Sequence, residues 1–407
     1  MKDIFYLKES VQKIPEVKDW LNQFSENDQT TALDFLRSFQ FVPDSVYREY
    51  IEKEILEIQK DKKKGIAIFA RHKFPKEIKY YFEQDKQGNV IKSKIKGIGS
   101  EDLVSLIIRN ITRRTDVKIL NTPSIENMRN EKINDIIILD DCIMSGNSLK
   151  KFLELFFNHS SMKSWFSLKN SKIYIITYAY NIDSKKNWHS AKIGKKDFNK
   201  YPSRLEKISI KNKITISSEK YPEWLKPEFR ELCCKYNRGD YSLGYDGFTC
   251  NIIYEHSCPN NVPGILWQSS SNPQWKGLFM NRSISSALFS KLINCSSSEQ
   301  PDIKYGAYIN KKILNNNLDI YLIINEILNE IEIYSNFDHL IERCACKIRC
   351  SIEYVKNIYE ILQKENYISS DGFELTNKGM ELMKYMKSKR RKLMVPEFEN
   401  KPYYPKI

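Results

Sequence analysis

The stretch "IIILDDCIMSGNS", residues 136–148, decides how the chain reads. Four apolar residues, three of them β-branched, form a buried-strand pattern. Asp140 and Asp141 follow, and a run of small and polar residues then opens into "LKKFLELFF", apolar at helical spacing. A strand that ends on two adjacent carboxylates and turns into a helix has the layout of a ligand site, because open α/β sheets bind ligands outside the carboxyl ends of their strands. Backbone N–H groups from Met144 to Ser148 can face an anion there, with Gly146 allowing close approach and Ser145, Asn147 and Ser148 adding polar side chains. The carboxylates have the wrong charge for a phosphate but suit a vicinal diol, or a metal bridging to it. A phosphorylated ribose meets both demands. The same residues are also compatible with a polar turn that binds nothing.

Working outward, further strands are expected at 65–70 ("GIAIFA"), 117–120, 135–139, 172–180, 213–217 and 248–254 ("FTCNIIY"). The helix "SEDLVSLIIRNITRR" begins at Ser100 as its expected N-cap, with acidic residues in its first turn. Strands alternating with helices predict a mainly parallel α/β sheet. Residues 9–63 read as helical, with Trp20, Leu21 and Phe24 on one face and a break at Pro43-Asp44. The stretch 72–99 reads as a hairpin or insertion, with a turn at "KQGN".

At 407 residues the chain has room for two or three domains. It contains no apolar run of about 18 residues, which argues against a membrane span. Its first residues carry charges throughout and no apolar signal core, so a cytoplasmic protein is expected. Nine cysteines in such a chain suit a reducing compartment rather than a disulfide framework. The formal charge is +14, concentrated at 184–213 and at 377–407, where "KSKRRK" spans 387–392. Such clusters attract polyanions by counterion release.

Residues 319–392 read as a winged helix: three helices, a hairpin around Asp371-Gly372, and a last helix capped by Thr376. Ser351 caps the third helix. In the nucleic-acid reading, Lys387, Lys389, Arg390, Arg391 and Lys392 contact phosphates. The competing reading is a winged helix that docks on protein. Cys344, Cys346 and Cys350 lie in a helical pattern with no fourth ligand nearby, so they read as core filling and no protein-held metal site is expected.

The stretch "LDDCIMSGNS" resembles the signature of type I phosphoribosyltransferases, in which an acidic pair at a strand end precedes a phosphate loop. The resemblance implies that Asp140 and Asp141 hold ribose hydroxyls and that Met144, Ser145, Gly146, Asn147 and Ser148 cradle the 5′-phosphate. Met144 departs from the pattern, which usually has a hydroxyl residue there. For a pyrophosphate end, "KGIGSEDLVSLI" offers Lys96, Gly97 and Gly99, with Arg71 as a further counter-charge. A third element, "PNNVPGILW" at 259–267, places Asn260, Asn261 and Trp267 where amides could read a base and an indole could stack on it, or where all three simply pack a turn.

Together with "WLNQF" at 20–24, these elements resemble a divergent phosphoribosyltransferase-like group of prokaryotic conflict and phage-defence systems, over roughly residues 15–285. That resemblance implies a toxic effector, restrained by a retron reverse transcriptase and its multicopy DNA. It also implies glycosyl transfer or cleavage at ribose C1, with phosphoribosyl pyrophosphate (PRPP) or another ribose-phosphate as substrate and Mg²⁺ as companion. The competing function is a ligand-sensing transcription regulator with a non-catalytic pocket. The expected organisation is a helical leader over 1–64, an α/β domain over 65–295, a linker over 296–318, a winged helix over 319–392 and a tail over 393–407.

Overall fold

The computed structural model describes residues 5–60, 65–71, 81–82, 100–114, 118–167, 171–193, 196–197, 208–216, 222, 224–237, 239–271, 274–297, 318–331, 333–334, 336–348 and 350–384. The chain divides into two compact units, Met1–Pro301 and Asp302–Ile407.

The first unit begins with β1 (Phe5–Leu7), α1 (Pro15–Leu21), α2 (Glu26–Arg37), β2 (Gln40–Val42) and α3 (Asp44–Lys60). The leader is therefore not wholly helical. Its two short strands escape a periodicity reading because three residues give no period to detect. The central elements follow: β3 (Ile66–Ala70), α4 (Ser100–Arg114), β4 (Ile119–Asn121), α5 (Ile125–Asn130), β5 (Ile136–Ile143), α6 (Asn147–Asn158), α7 (Ser160–Ser167), β6 (Ile173–Asn181), α8 (Lys185–Trp188) and β7 (Ile208–Ile216). The unit closes with α9 (Pro227–Tyr236), β8 (Ile252–Tyr254), α10 (Ser286–Asn294) and β9 (Ser296–Ser297).

Strands β3 to β7 form the expected parallel sheet, in the order β4-β3-β5-β6-β7. Both faces are apolar, as buried parallel strands require. Ile66, Ile68, Ile137 and Leu139 belong to a core with Tyr47, Ile51 and Ile55 of α3 and Ile107, Ile108 and Ile111 of α4. On β3, Phe69 meets Phe156 of α6, ring centroids 5.1 Å apart.

The strand expected at 248–254 is shorter and belongs elsewhere. It pairs with β2 in a second sheet of order β8-β2-β1-β9. Phe248 to Asn251 lie outside it. A core of Trp20, Phe24, Phe35, Leu36 and Phe39 with Leu225, Phe229, Ile265, Phe279 and Leu292 ties the leader to residues 225–295. Trp20 donates from Nε1 to the Ile265 carbonyl at 3.1 Å, so "WLNQF" and "PNNVPGILW" are partners in one core.

The second unit contains α11 (Leu318–Glu330), α12 (Phe337–Ile348) and α13 (Ile352–Lys364). Ser351 Oγ accepts from Tyr354 N and caps α13. Ile368 and Leu375 bridge antiparallel around Gly372 at φ +85°, and Thr376 Oγ1 accepts from Gly379 N to cap the next helical turn. This is a winged helix-turn-helix order. Cys344 lies in its core with Ile327, Leu340 and Tyr359. No helix among the described residues is long and apolar enough to cross a membrane.

Candidate functional site

In chain order β3 pairs first with β4 on one side, and β5, β6 and β7 are then laid down on its other side. The strand order thus reverses between β3 and β5, the place where open α/β sheets hold ligands. Pairing of β3 with β5 stops at Ala70 and Leu139, whereas β5 pairs with β6 through Ile143. The strand therefore does not end on the carboxylates, as the sequence reading supposed. It runs on past them, and β3 gives out instead. The polarity of Asp140 and Asp141 read as a strand end because only one neighbouring strand continues beside them.

Arg71, the residue after β3, is placed by its own N–H, which donates to the Leu139 carbonyl at 2.8 Å. Its guanidinium reaches the pair, with Nε 2.5 Å from Asp140 Oδ2 and NH2 3.9 Å from Asp141 Oδ1. Asp140 Oδ1 accepts from Asp141 N at 3.0 Å, and Asp141 Oδ1 accepts from Cys142 N at 2.9 Å. Burial pushes the Asp140 carboxyl up to about 7, against the pull of Arg71. Burial also raises Asp141, but Arg71 and His256 outweigh it and hold that carboxyl below its ordinary value. The pair is thus split into one carboxylate that stays ionised and one that can exchange a proton near neutrality.

Gly146 caps α6 in the left-handed conformation, φ +75°, so the loop turns sharply into the helix beside the acidic pair. Its close approach is to protein: a Cβ there would stand 2.7 Å from the Ser184 carbonyl oxygen. Asn187 Nδ2, on α8, donates to the Ser145 carbonyl at 2.7 Å. Asn147 Nδ2 donates to Asp246 Oδ2 at 2.9 Å, and Asn147 N lies 3.4 Å from Ser145 Oγ. Met144 is buried in the core behind the loop, whereas Asn147 and Ser148 are exposed. The loop is a rigid N–H-bearing corner whose side chains partly serve to hold it.

Of the two roles open to the asparagine turn, Asn261 and Trp267 take the packing one. Asn261 Nδ2 donates to the Tyr245 and Phe248 carbonyls at 3.1 and 2.9 Å, and Trp267 Nε1 donates to the Val262 carbonyl at 2.8 Å. The Asn260 carbonyl accepts from Tyr245 N at 3.0 Å. An amide turned onto two carbonyls is not presented to a base. It fixes the turn that carries Asp246 to Asn147, so the element supports the corner at the start of α6. Lys96, Gly97, Gly99 and the charges from Lys387 to Lys392 lie outside the described residues.

In sequence His256 is a histidine beside the asparagine turn, open to a substrate contact or a structural role; sequence reasoning missed its partners in the wall behind Asp141. Tyr254 donates from its hydroxyl to the Asp141 carbonyl at 2.9 Å. His256 Nε2 faces Asp141 Oδ2 at 4.0 Å while its Nδ1 meets Asp44 Oδ1 at 2.5 Å. The Asp44 position at a helix start and the histidine beside a proline turn carry no joint signal in sequence. They meet only because β8 pairs with β2, directly before α3.

Two family models match the chain, PRTase-CE over residues 17–281 and a wHTH-PRTase associated domain over 341–407. The chain belongs to the PRTase-CE family. The matched region contains Arg71, the acidic pair, the loop at 144–148 and His256, and the second model falls on the winged helix. Among curated proteins none matches the chain. As a PRTase-like protein it has its acidic pair and helix corner at the sheet's switch point.

A Mg²⁺ held directly by both carboxylates would compete with the Arg71 guanidinium for the same oxygens. Among the described residues no cluster of three His, Cys, Asp or Glu side chains is placed to hold a metal. The described residues do not fit a protein-held ion.

Proposed function

We propose that this PRTase-like protein is a toxic effector of an anti-phage retron system, acting at C1 of a ribose-phosphate such as PRPP or a nucleotide. The observation that carries the reading is the Arg71, Asp140 and Asp141 cluster at the switch point, next to the left-handed Gly146 corner of α6. The N–H groups from Ser145 to Ser148 take the 5′-phosphate, and the carboxylates take the ribose hydroxyls. Arg71 exchanges its carboxylate partners for the phosphate-bearing ligand. C1 gains positive charge as its leaving group departs, and the ionised Asp141 stabilises it through space. Asp140 exchanges protons near neutrality. Mg²⁺, where it takes part, belongs to the pyrophosphate of the substrate.

In this reading the winged helix docks on nucleic acid, and a retron reverse transcriptase with its multicopy DNA restrains the effector. A ligand-sensing transcription regulator is the second reading, favoured by Met144, which is buried where a hydroxyl donor is usual. Expression of the chain alone decides between them. The effector reading expects growth arrest with a changed nucleotide or PRPP pool, both lost in Asp141→Asn. Full growth with unchanged metabolites would favour the regulator.

A further inference from the structure

Asp44 opens α3, and its Oδ1 lies 2.5 Å from His256 Nδ1. A carboxylate only accepts, so Nδ1 carries a ring hydrogen and Nε2 is the ring nitrogen left to bond a ligand. The ring cannot turn away to find another partner. Tyr254 stacks on one side at 5.2 Å between centroids with 23° between planes, and Tyr47 packs against it at 5.2 Å and 55°. The histidine side chain is 9% exposed, and its Nε2 is buried with no hydrogen-bond partner among the described residues. Such an orphaned polar atom is costly unless a ligand completes it.

The Nε2 atom is aimed at the acidic pair, 4.0 Å from Asp141 Oδ2. That separation is too long for a hydrogen bond between the two, so each is left to bond a ligand. Two hydrogen-bonding atoms side by side match two hydroxyls on adjacent carbons. We propose that His256, oriented by Asp44, is a third sugar-binding group of this site, its Nε2 hydrogen-bonding the ribose 2-hydroxyl while Asp141 accepts from the 3-hydroxyl. The inference rests on the ribose-phosphate reading and deepens it by naming the substrate class: sugars with an intact vicinal diol, not 2-deoxyribose. The sugar displaces the Arg71 guanidinium, whose Nε lies 2.5 Å from Asp140 Oδ2.

The test is calorimetry on the full chain with ribose 5-phosphate and 2-deoxyribose 5-phosphate. The wild type binds ribose 5-phosphate more tightly. His256→Ala lowers that affinity about tenfold, the scale of one buried hydrogen bond, and leaves 2-deoxyribose 5-phosphate binding unchanged. Asp44→Asn provides an independent variant should His256→Ala fail to fold. With an amide in place of the carboxylate, the charge that fixes the ring and its Nδ1 hydrogen is lost, and Nε2 no longer has a set orientation toward the sugar. The substitution is expected to erode the same preference. A preference for ribose that survives both substitutions would overturn the role of His256 and leave the ribose-phosphate reading standing. A wild type that binds neither sugar phosphate would overturn both.

Discussion

Tyr254 donates its hydroxyl hydrogen to the main-chain carbonyl of Asp141 at 2.9 Å, and so fastens the sheet containing the leader to the strand bearing the acidic pair. The contact is local to the site: Tyr254 is fully buried, and burial pushes its phenol well above the ordinary range, so it remains a donor at every working pH. Tyr254→Phe removes one buried hydrogen bond and is expected to cost about 1 kcal/mol of stability, measured by urea unfolding. Ribose 5-phosphate affinity should fall with it, because Asp141 loses its tether. Unchanged affinity would mean that β5 positions the carboxylate unaided.

Gly146 supplies the next prediction. A side chain there meets two penalties, a left-handed backbone costing about 1–2 kcal/mol and a Cβ that would lie 2.7 Å from the Ser184 carbonyl oxygen. Gly146→Ala is therefore expected to lower the melting temperature and to weaken phosphate binding together, since the loop must move to relieve the contact. A variant of native stability that loses only the anion would place the close approach at the ligand instead.

Asp140 gives the site a pH signature. Its folded value of about 7 is above the ordinary 3.8, so the native state binds the proton more tightly than the unfolded chain does. Stability from this group is full below about 3.8 and is lost as pH rises through about 7. Asp141, held low, acts in the opposite sense and only in acid: its contribution is present above the ordinary carboxylate value and is lost as pH falls. The wild type minus Asp140→Asn stability difference should therefore shift against the wild type between pH 5 and pH 8. Denaturant midpoints at both pH values check this, and a flat difference would show that Arg71 keeps Asp140 ionised throughout.

How much of this was legible can be argued residue by residue. The run from Ile136 to Ser148 exposes its purpose because both faces of β5 are apolar until the carboxylates, and the helix periodicity resumes at once. The parallel sheet follows from the same alternation. Asn261 stays open in sequence, where an amide between prolines suits base reading or turn packing alike, and the fold turns it onto the Tyr245 and Phe248 carbonyls. His256 and Asp44 stay hidden because their partnership is made by a three-residue strand pairing across more than two hundred residues of chain.

Asn261 thereby yields a stability prediction of its own. Asn261→Ala leaves the Phe248 carbonyl without its donor and the Tyr245 carbonyl with Phe248 N alone, which costs about 1–3 kcal/mol where the freed group remains dry. The turn also delivers Asp246 to Asn147, so loosening of the phosphate corner should accompany the loss. Asp246→Ala, which cuts only that last link, is expected to weaken ribose 5-phosphate binding with little change in unfolding midpoint. Equal loss of stability in both variants would argue that the turn matters to the fold alone.

The winged helix poses an electrostatic question. The exposed residues of α13 include Glu353, Lys356, Asn357, Glu360 and Lys364, two acids against two bases, and Asp371 and Glu374 in the wing are acidic. A helix with no net positive charge draws little affinity from phosphates, so phosphate contact has to come from the run Lys387 to Lys392. Each contact lowers log K by roughly 0.9 for every tenfold rise in salt. Replacing Lys389, Arg390, Arg391 and Lys392 with alanine should flatten that slope by about three units, one charge being allowed to miss. Any sequence preference should survive, because on the nucleic-acid reading it would come from the helix capped at Ser351 and not from the tail. Binding to duplex and to structured DNA across a salt series, with and without the substitutions, makes the measurement. An unchanged slope would assign the basic run to solvent and turn the balanced face of α13 toward a protein partner.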